Sequence, residues 1–264
     1  MKKTSVIMPL FVAAVGAAGF YLRQLELIYV FDAQTGLNER GATITTALIT
    51  LTVLLLLFAF IFSLKVGFSC NVPRGFSNIY GTDSIAYPFI ISIISLVWMG
   101  GTAISAIDLN ASNNFQTGEL YFTILSAVSA LCFIIFSIDM FRAPDRKGAT
   151  ALILVPIMFM TFWLIFMYRD NASNPILLSY SYHALAVIFS ALSFYYISAF
   201  IFSKPYPGKA VFTSLSAIFF CFVTLADTHN LGISLIFISI IAINVVHLTM
   251  LVRNLLPKAP KFEI

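Results

Sequence analysis

Residues 41–64 read GATITTALITLTVLLLLFAFIFSL, a run without charge closed by Arg40 before it and Lys65 after it. A helix rises 1.5 Å per residue, so about 20 apolar residues cross a hydrocarbon core about 30 Å thick. The run therefore predicts a membrane span. Working outward from it, seven further charge-free windows of at least 17 residues appear: Thr4–Leu22, Ser84–Ile107, Leu120–Ile138, Gly148–Tyr168, Asn171–Ser203, Ala210–Ala226 and Asn230–Val252. With the sixth trimmed to start at Ile176 and the last at Leu231, the expected spans are 4–22, 41–64, 84–107, 120–138, 148–168, 176–203, 210–226 and 231–252. The 264 residues are 60% hydrophobic and 10% charged, with mean hydropathy +0.96, which leaves no length for a soluble domain. The expected fold is all-α, a polytopic transmembrane bundle of eight spans forming a single integral membrane domain, 1–264.

The formal charge of +4 and a pI near 9.0 would suggest a nucleic-acid partner in a soluble chain. Here the positive residues lie beside the spans and alternate by side. Lys2, Lys3, Lys65, Arg74, Arg142, Arg146, Lys147, Lys204, Lys209, Arg253, Lys258 and Lys261 fall on one side, and only Arg23, Arg40 and Arg169 on the other. Basic residues in short loops resist translocation, so this split predicts both termini on the cytoplasmic face of a cell membrane. The expected partners are the lipid bilayer and, as candidates, other membrane subunits, with no nucleic acid. The start Met1-Lys2-Lys3 followed by an apolar run also has the layout of a secretory signal. At 19 residues the run exceeds the usual apolar core of about 7–15, and its small residues, Ala13 to Gly19, offer a close-packing face, so we read a span.

Short connections make sequential helices neighbours, giving four helical hairpins. A weak repeat with an offset of 61 residues links the second and third: Asn110-Ala111-Ser112-Asn113 recurs at 171–174, Tyr121 matches Tyr182, and Ser129, Phe133 and Ser137 match Ser190, Phe194 and Ser198. An alphabet of Ser, Ala, Leu, Ile and Phe also produces such matches by composition. Both Asn-Ala-Ser triplets are glycosylation acceptor patterns, and both equally suit turns and caps at the starts of spans four and six. Cys70, Cys132 and Cys221 form no C-x-x-C pair and imply neither a disulfide nor a metal site.

The outer end of the first span carries Arg23 and Glu26, three apart and so on one helix face, where they can pair. Asp32 with Thr35-Gly36 then supplies turn chemistry. The stretch Arg23, Glu26-Leu27, Phe31-Asp32, Thr35-Gly36-Leu37, followed by a long apolar span, resembles an N-terminal signature in a group of polytopic membrane proteins of anaerobic Gram-positive bacteria. The likeness covers the first two spans and otherwise only topology. It implies no activity, cofactor or catalytic residue.

His183 is the most informative intramembrane residue, because ionisable groups at membrane depth tend to face protein or water and mark functional sites. Asp227 and His229 end the seventh span on the same side, and Asp108, Glu119 and Glu26 occupy the same stratum. Arg23, Glu26, Asp108, Glu119, His183, Asp227 and His229 thus form a candidate polar outer cluster. No H-E-x-x-H, paired histidine or G-x-S-x-G is present, so no metal, cofactor or catalytic residue is assigned. His247 lies far along the last span and cannot join this cluster. Small-polar stripes (Thr43, Thr46, Thr50; Ser92, Ser95, Thr102, Ser105; Thr123, Ser126, Ser129) suit close helix packing, or alternatively a polar conduit. Pro156 and Gly100-Gly101 can kink or thin their spans. Asp139 and Arg142 are expected to form a solvated pair.

These features favour a non-enzymatic multi-pass protein that binds or moves a small molecule or lipid, or a subunit of such a system. The alternatives are a hydrolase-like intramembrane enzyme with an outward His/carboxylate site, and a purely structural protein. Cavity geometry separates them. Transport needs a mid-bilayer cavity lined by the stripes, and the enzyme needs His183 within reach of Asp227 or Glu119 in an outward pocket.

Overall fold

Apolar windows bounded by charge fold as helices because each must satisfy its own backbone hydrogen bonds where water is scarce. The computed structural model describes residues 4–31, 41–71, 77–80, 85–111, 117–142, 151–172, 176–202 and 204–257. Eight long helices stand where the eight windows are: α1 (Thr4–Tyr29), α2 (Thr43–Ser69), α3 (Ala86–Ala111), α4 (Thr117–Arg142), α5 (Leu154–Asn171), α6 (Leu177–Ile201), α7 (Pro207–Thr224) and α8 (Leu231–Asn254). A single helical turn, Ser77–Tyr80, lies between α2 and α3. The turn expected at Asp32 to Gly36 and the basic residues Arg146 and Lys147 lie outside the described residues.

Seven of the eight helices are long and apolar enough to cross a membrane, and α5 is not among them. Two features shorten it. Its first residues form a 3-10 turn, Ala151–Ile153, and its last turn carries Arg169, Asp170 and Asn171. Pro156 consequently sits in the first turn of α5, where its missing N–H is not needed, and introduces no kink inside a span. In the opposite direction α1 runs past the expected end at Leu22 to Tyr29, because Arg23 and Glu26 neutralise one another inside the bundle.

The expected hairpin partners pack together, and α7 forms the centre, touching α1, α2, α6 and α8. Its apolar stretch is 78% buried against 22% for α2, which fixes α7 as the core helix and α2 as a peripheral one. The outward side of α2 presents Leu54, Leu57, Phe60 and Ile61, continuous with exposed Leu10 and Phe11 of α1. A belt of that extent suits hydrocarbon rather than water.

Close approach of α3 and α8 depends on two glycines. A Cβ on Gly232 would collide with the Gly101 carbonyl and with Ser105 Oγ, and one on Gly101 would meet the Gly232 carbonyl at 2.7 Å. Gly101 thus permits a tight crossing, as small residues do in membrane bundles. Gly16 and Gly19 do the same for α1 against Phe222, Val223 and Phe219 of α7.

The small-polar stripes divide. On α3 and α4 they are packing surfaces: Ser92 and Ser137 share a 2.8 Å hydrogen bond, as do Thr102 and Ser126, and Trp98 Nε1 donates to Ser126 Oγ at 3.0 Å. The α2 stripe is exposed instead, with Thr46 and Thr50 hydroxyls donating back to the carbonyls of Ala42 and Thr46. Thr43, Thr46 and Thr50 line an open surface groove of about 570 Å³ together with Leu22, Leu51 and Leu54, and Ser105 of the α3 stripe lines a separate pocket, so the two stripes do not share one conduit among the described residues. A second interior polar link, at Ser193 of α6, shares a 2.9 Å hydrogen bond with Ser214 of α7 and donates to Asn244 Oδ1 of α8. Matched repeat positions Ser129 and Ser190, Phe133 and Phe194, and Ser137 and Ser198 are all buried, and the two phenylalanine rings are 5.2 Å apart. Tyr121 and Tyr182 differ, the first being exposed and the second buried.

The ends of the bundle are chemically distinct. At one end Cys70–Asn71 pairs antiparallel with Leu256–Pro257, Asn254 Nδ2 donates to the Ile79 carbonyl at 2.6 Å, and Ser63 donates to the Gly208 carbonyl at 2.7 Å. Exposed Lys65, Lys204, Lys209 and Arg253 lie there. Asp139 is buried there rather than solvated, as α4 packs against the 3-10 turn before α5, while the side chain of Arg142, its expected partner, lies outside the described residues. His247 lies against Tyr80 and Phe136 toward this end, apart from the outer cluster. The opposite end gathers the other acids among the described residues.

Candidate functional site

Arg23 is fully buried, and its position in α1 directs it toward the ends of three other helices. Nε donates to Asp227 Oδ1 at 2.8 Å, Nη1 to Glu26 Oε2 at 2.8 Å, and Nη2 to the Ser179 carbonyl at 3.0 Å. The guanidinium lies 5.3 Å from the Tyr182 ring centre and 5.6 Å from that of Phe31. The second oxygens of both acids are also satisfied. Thr45 of α2 donates to Glu26 Oε1 at 2.7 Å, and Thr224 of α7 to Asp227 Oδ2 at 2.9 Å. A guanidinium is a permanently charged, planar fork of donors, and here it joins α1, α6 and the end of α7, with α2 held through Glu26. Filled in this way, Arg23 is a clamp and has no open face to offer a ligand.

His229 links this clamp to a second feature. Its Nε2 is 3.3 Å from Thr224 Oγ1, and its ring lies 4.8 Å from that of His183 in a T-shaped arrangement. Both rings contact Phe237, and His183 also meets Trp163 at 5.5 Å. Burial removes water from His229 and holds its pKa below the ordinary imidazole value, with the nearby Asp227 charge opposing the shift in part.

Beyond His183 lies a pocket of about 260 Å³. Five helices meet around it: Ser105 comes from α3; Gly118, Glu119 and Phe122 from α4; Trp163, Phe166, Met167, Arg169, Asp170 and Asn171 from α5; His183 from α6; and Ile233 from α8, with Asn230 at its cap. The absence of a side chain at Gly118 admits Phe166 and Arg169, since a Cβ there would stand about 3 Å from both. Asn230 Oδ1 accepts from the Ile233 N–H at 2.8 Å and so starts α8 at the pocket wall. Asn171 is the last residue of α5, its amide donating to the Met167 carbonyl at 2.9 Å. It caps the end of α5 rather than the start of the next helix. Ser105 Oγ, Glu119 Oε2 and His183 Nε2 are buried without a hydrogen-bond partner, and all three residues line this pocket.

No family model, curated protein or solved structure matches this chain.

Of the seven residues the sequence singles out, the structure joins Arg23, Glu26 and Asp227 in one ion-pair network with His229 at its edge. It places Glu119 and His183 on one pocket, and it leaves Asp108 exposed in α3, away from that pocket's lining. Sequence reasoning missed Trp163, Asn230 and the Arg169-Asp170-Asn171 rim, and it placed Ser105 in a small-polar stripe suited to packing or to a conduit. One signal was available: Trp163 is one of two tryptophans in the chain. Among the described residues no group of three or more His, Cys, Asp and Glu could hold a metal ion.

Proposed function

We propose that the chain is an integral protein of a cell membrane, with both termini cytoplasmic, that binds a small molecule in the pocket at its outer end without transforming it. The orientation rests on the distribution of basic residues, 12 on the side of the termini and three on the other. The alternating bundle is consistent with it, with Lys65, Lys204, Lys209 and Arg253 at one end and Glu26, Glu119, Asp170 and Asp227 at the other. In this reading α5 crosses as the shortest span, its polar last turn forming the pocket rim.

One observation carries the binding reading: three buried polar atoms from three different helices lack partners around a single pocket. Buried polar groups are almost always paired, so such a concentration is explained by a partner that comes from outside the chain. At about 260 Å³ the pocket is slightly smaller than the usual range for drug-sized ligands and suits a small one. Glu119 and His183 share this pocket, as the hydrolase alternative needs, but a covalent hydrolase would also need its nucleophile hydrogen-bonded to a base, and Ser105 Oγ has no such partner.

The test is mass spectrometry of molecules retained when the protein is purified in native lipid. A small molecule present with the unaltered protein and lost on His183→Ala supports binding. Bulk lipid alone, identical in both samples, removes the reading.

A further inference from the structure

The unpartnered buried polar atoms of the pocket are a carboxylate oxygen, Glu119 Oε2, an imidazole nitrogen, His183 Nε2, and a hydroxyl oxygen, Ser105 Oγ, set among ring faces. Arg169 is the one lysine or arginine on the described wall, and two of its three nitrogens are engaged. Its Nε and Nη2 donate to Asp170 at 3.2 Å each, and its guanidinium lies 5.4 Å over the Phe166 ring. The formal charges of Arg169 and Asp170 cancel, leaving the Glu119 carboxylate without a countercharge on the wall. Phe122, Trp163 and Phe166 add ring faces, whose negative potential attracts cations. Arg169 on Phe166 is an internal instance of that attraction. An anion would meet Glu119, and the one lysine or arginine on the described wall is already balanced by Asp170.

Resting on the reading of this pocket as a ligand site, we propose that it takes the primary ammonium group of a small organic amine. An alkylammonium carries three N–H donors, matching in number the three unpartnered acceptors. The carboxylate supplies the charge-assisted bond, and a neutral imidazole nitrogen and a hydroxyl oxygen accept the others. Phe122 and Trp163 cover the carbon skeleton. The amine is either a free molecule or the headgroup of an ethanolamine phospholipid reaching in from the outer leaflet.

The experiment uses the full chain in nanodiscs of phosphatidylglycerol, carrying Trp98→Phe so that Trp163 is the remaining tryptophan. The probes are n-propylammonium, the uncharged 1-propanol and acetate. A saturable change in Trp163 emission with n-propylammonium alone is expected, weakened about tenfold or more by Glu119→Gln and less by Ser105→Ala. Calorimetry on the protein with both tryptophans gives the same comparison without relying on Trp98→Phe. Repeating the titration in discs that contain phosphatidylethanolamine separates the sources: a weaker apparent affinity identifies the headgroup as a competing occupant, and an unchanged one identifies a free amine. Equal responses to 1-propanol or acetate, or no effect of Glu119→Gln, overturn the ammonium assignment while leaving a ligand site. Silence with all three probes in both lipids overturns the assignment and the ligand site together.

Discussion

Replacing Arg23 with methionine removes the charge of the buried clamp while keeping most of its length. In the native protein one guanidinium serves Glu26 at 2.8 Å, Asp227 at 2.8 Å and the Ser179 carbonyl at 3.0 Å, all out of contact with solvent or nearly so. The substitution leaves two carboxylates, each with a single threonine donor, from Thr45 and Thr224. Removing one partner of a buried ion pair costs about 3–5 kcal/mol, so the unfolding equilibrium should shift by roughly a hundredfold to a few thousandfold. The assay is unfolding by sodium dodecyl sulfate in mixed micelles, followed by helical circular dichroism. The triple replacement Arg23→Met, Glu26→Gln, Asp227→Asn keeps the shapes and deletes all the charges. Because a buried ion pair and an uncharged replacement often have similar net worth, the triple variant should recover to within about 1–2 kcal/mol of the parent. A loss below about 1 kcal/mol for Arg23→Met would refute the clamp, since exposed pairs contribute no more than that. Failure of the triple variant to recover would show that packing, rather than charge, holds these helices.

Three further outcomes are expected. Gly232→Leu forces a side chain into the Gly101 carbonyl and Ser105 Oγ, so it should cost roughly 1–3 kcal/mol or more by the same assay, whereas Gly100→Ala, at an open position, should be near neutral. For His229 the folded pKa is depressed, so the unfolded chain binds more protons as pH drops below about 6.5, and stability present above that value is lost on acidification toward the lower folded pKa. The unaltered protein should therefore lose stability between pH 7.5 and 5.5 more steeply than His229→Asn, and parallel curves would exclude His229 as the source. A reporter fused after Ile264 and active only outside the cytoplasm should stay silent, with activity there contradicting the proposed orientation.

The helices were legible because the bilayer requirement acts on composition, which a sequence displays directly. Their limits were less so wherever charge was buried. Treating Arg23 as the end of a window assumes that charge means water, and the assumption fails because Glu26 and Asp227 supply the counterions inside the protein. The spacing of three exposed half of this pairing, whereas Asp227, 204 residues away, became a partner only through the packing of α1 on α7. The stripes show the same limit. Thr46 and Thr50 belong to a stripe of the same helical kind as those that hold Thr102 on α3 and Ser126 on α4, yet the first two bond the preceding turn at the surface and the other two bond one another, which helps hold α3 to α4. A hydroxyl on a helix can always bond the preceding turn, so spacing alone does not separate the two fates. His183 was recognisable as an ionisable group at membrane depth, but the rings of Trp163 and Phe237 against it come from two other helices.

The two polar features at this end differ in how completely they are satisfied, and that difference is functional information. Both acids of the Arg23 network have each oxygen paired, so the network is complete within the chain and its contribution is to hold α1, α2, α6 and α7 together. The pocket is incomplete by the same count, with an acid oxygen, an imidazole nitrogen and a hydroxyl left without partners. A chain able to place Thr45 beside Glu26 could equally have placed a hydroxyl or amide beside Glu119 if stability alone were at stake. Unsatisfied buried acceptors lower stability, and sites where local rules are broken tend to be the working ones. His229, between Thr224 of the clamp and His183 of the pocket, lets the first feature position the second.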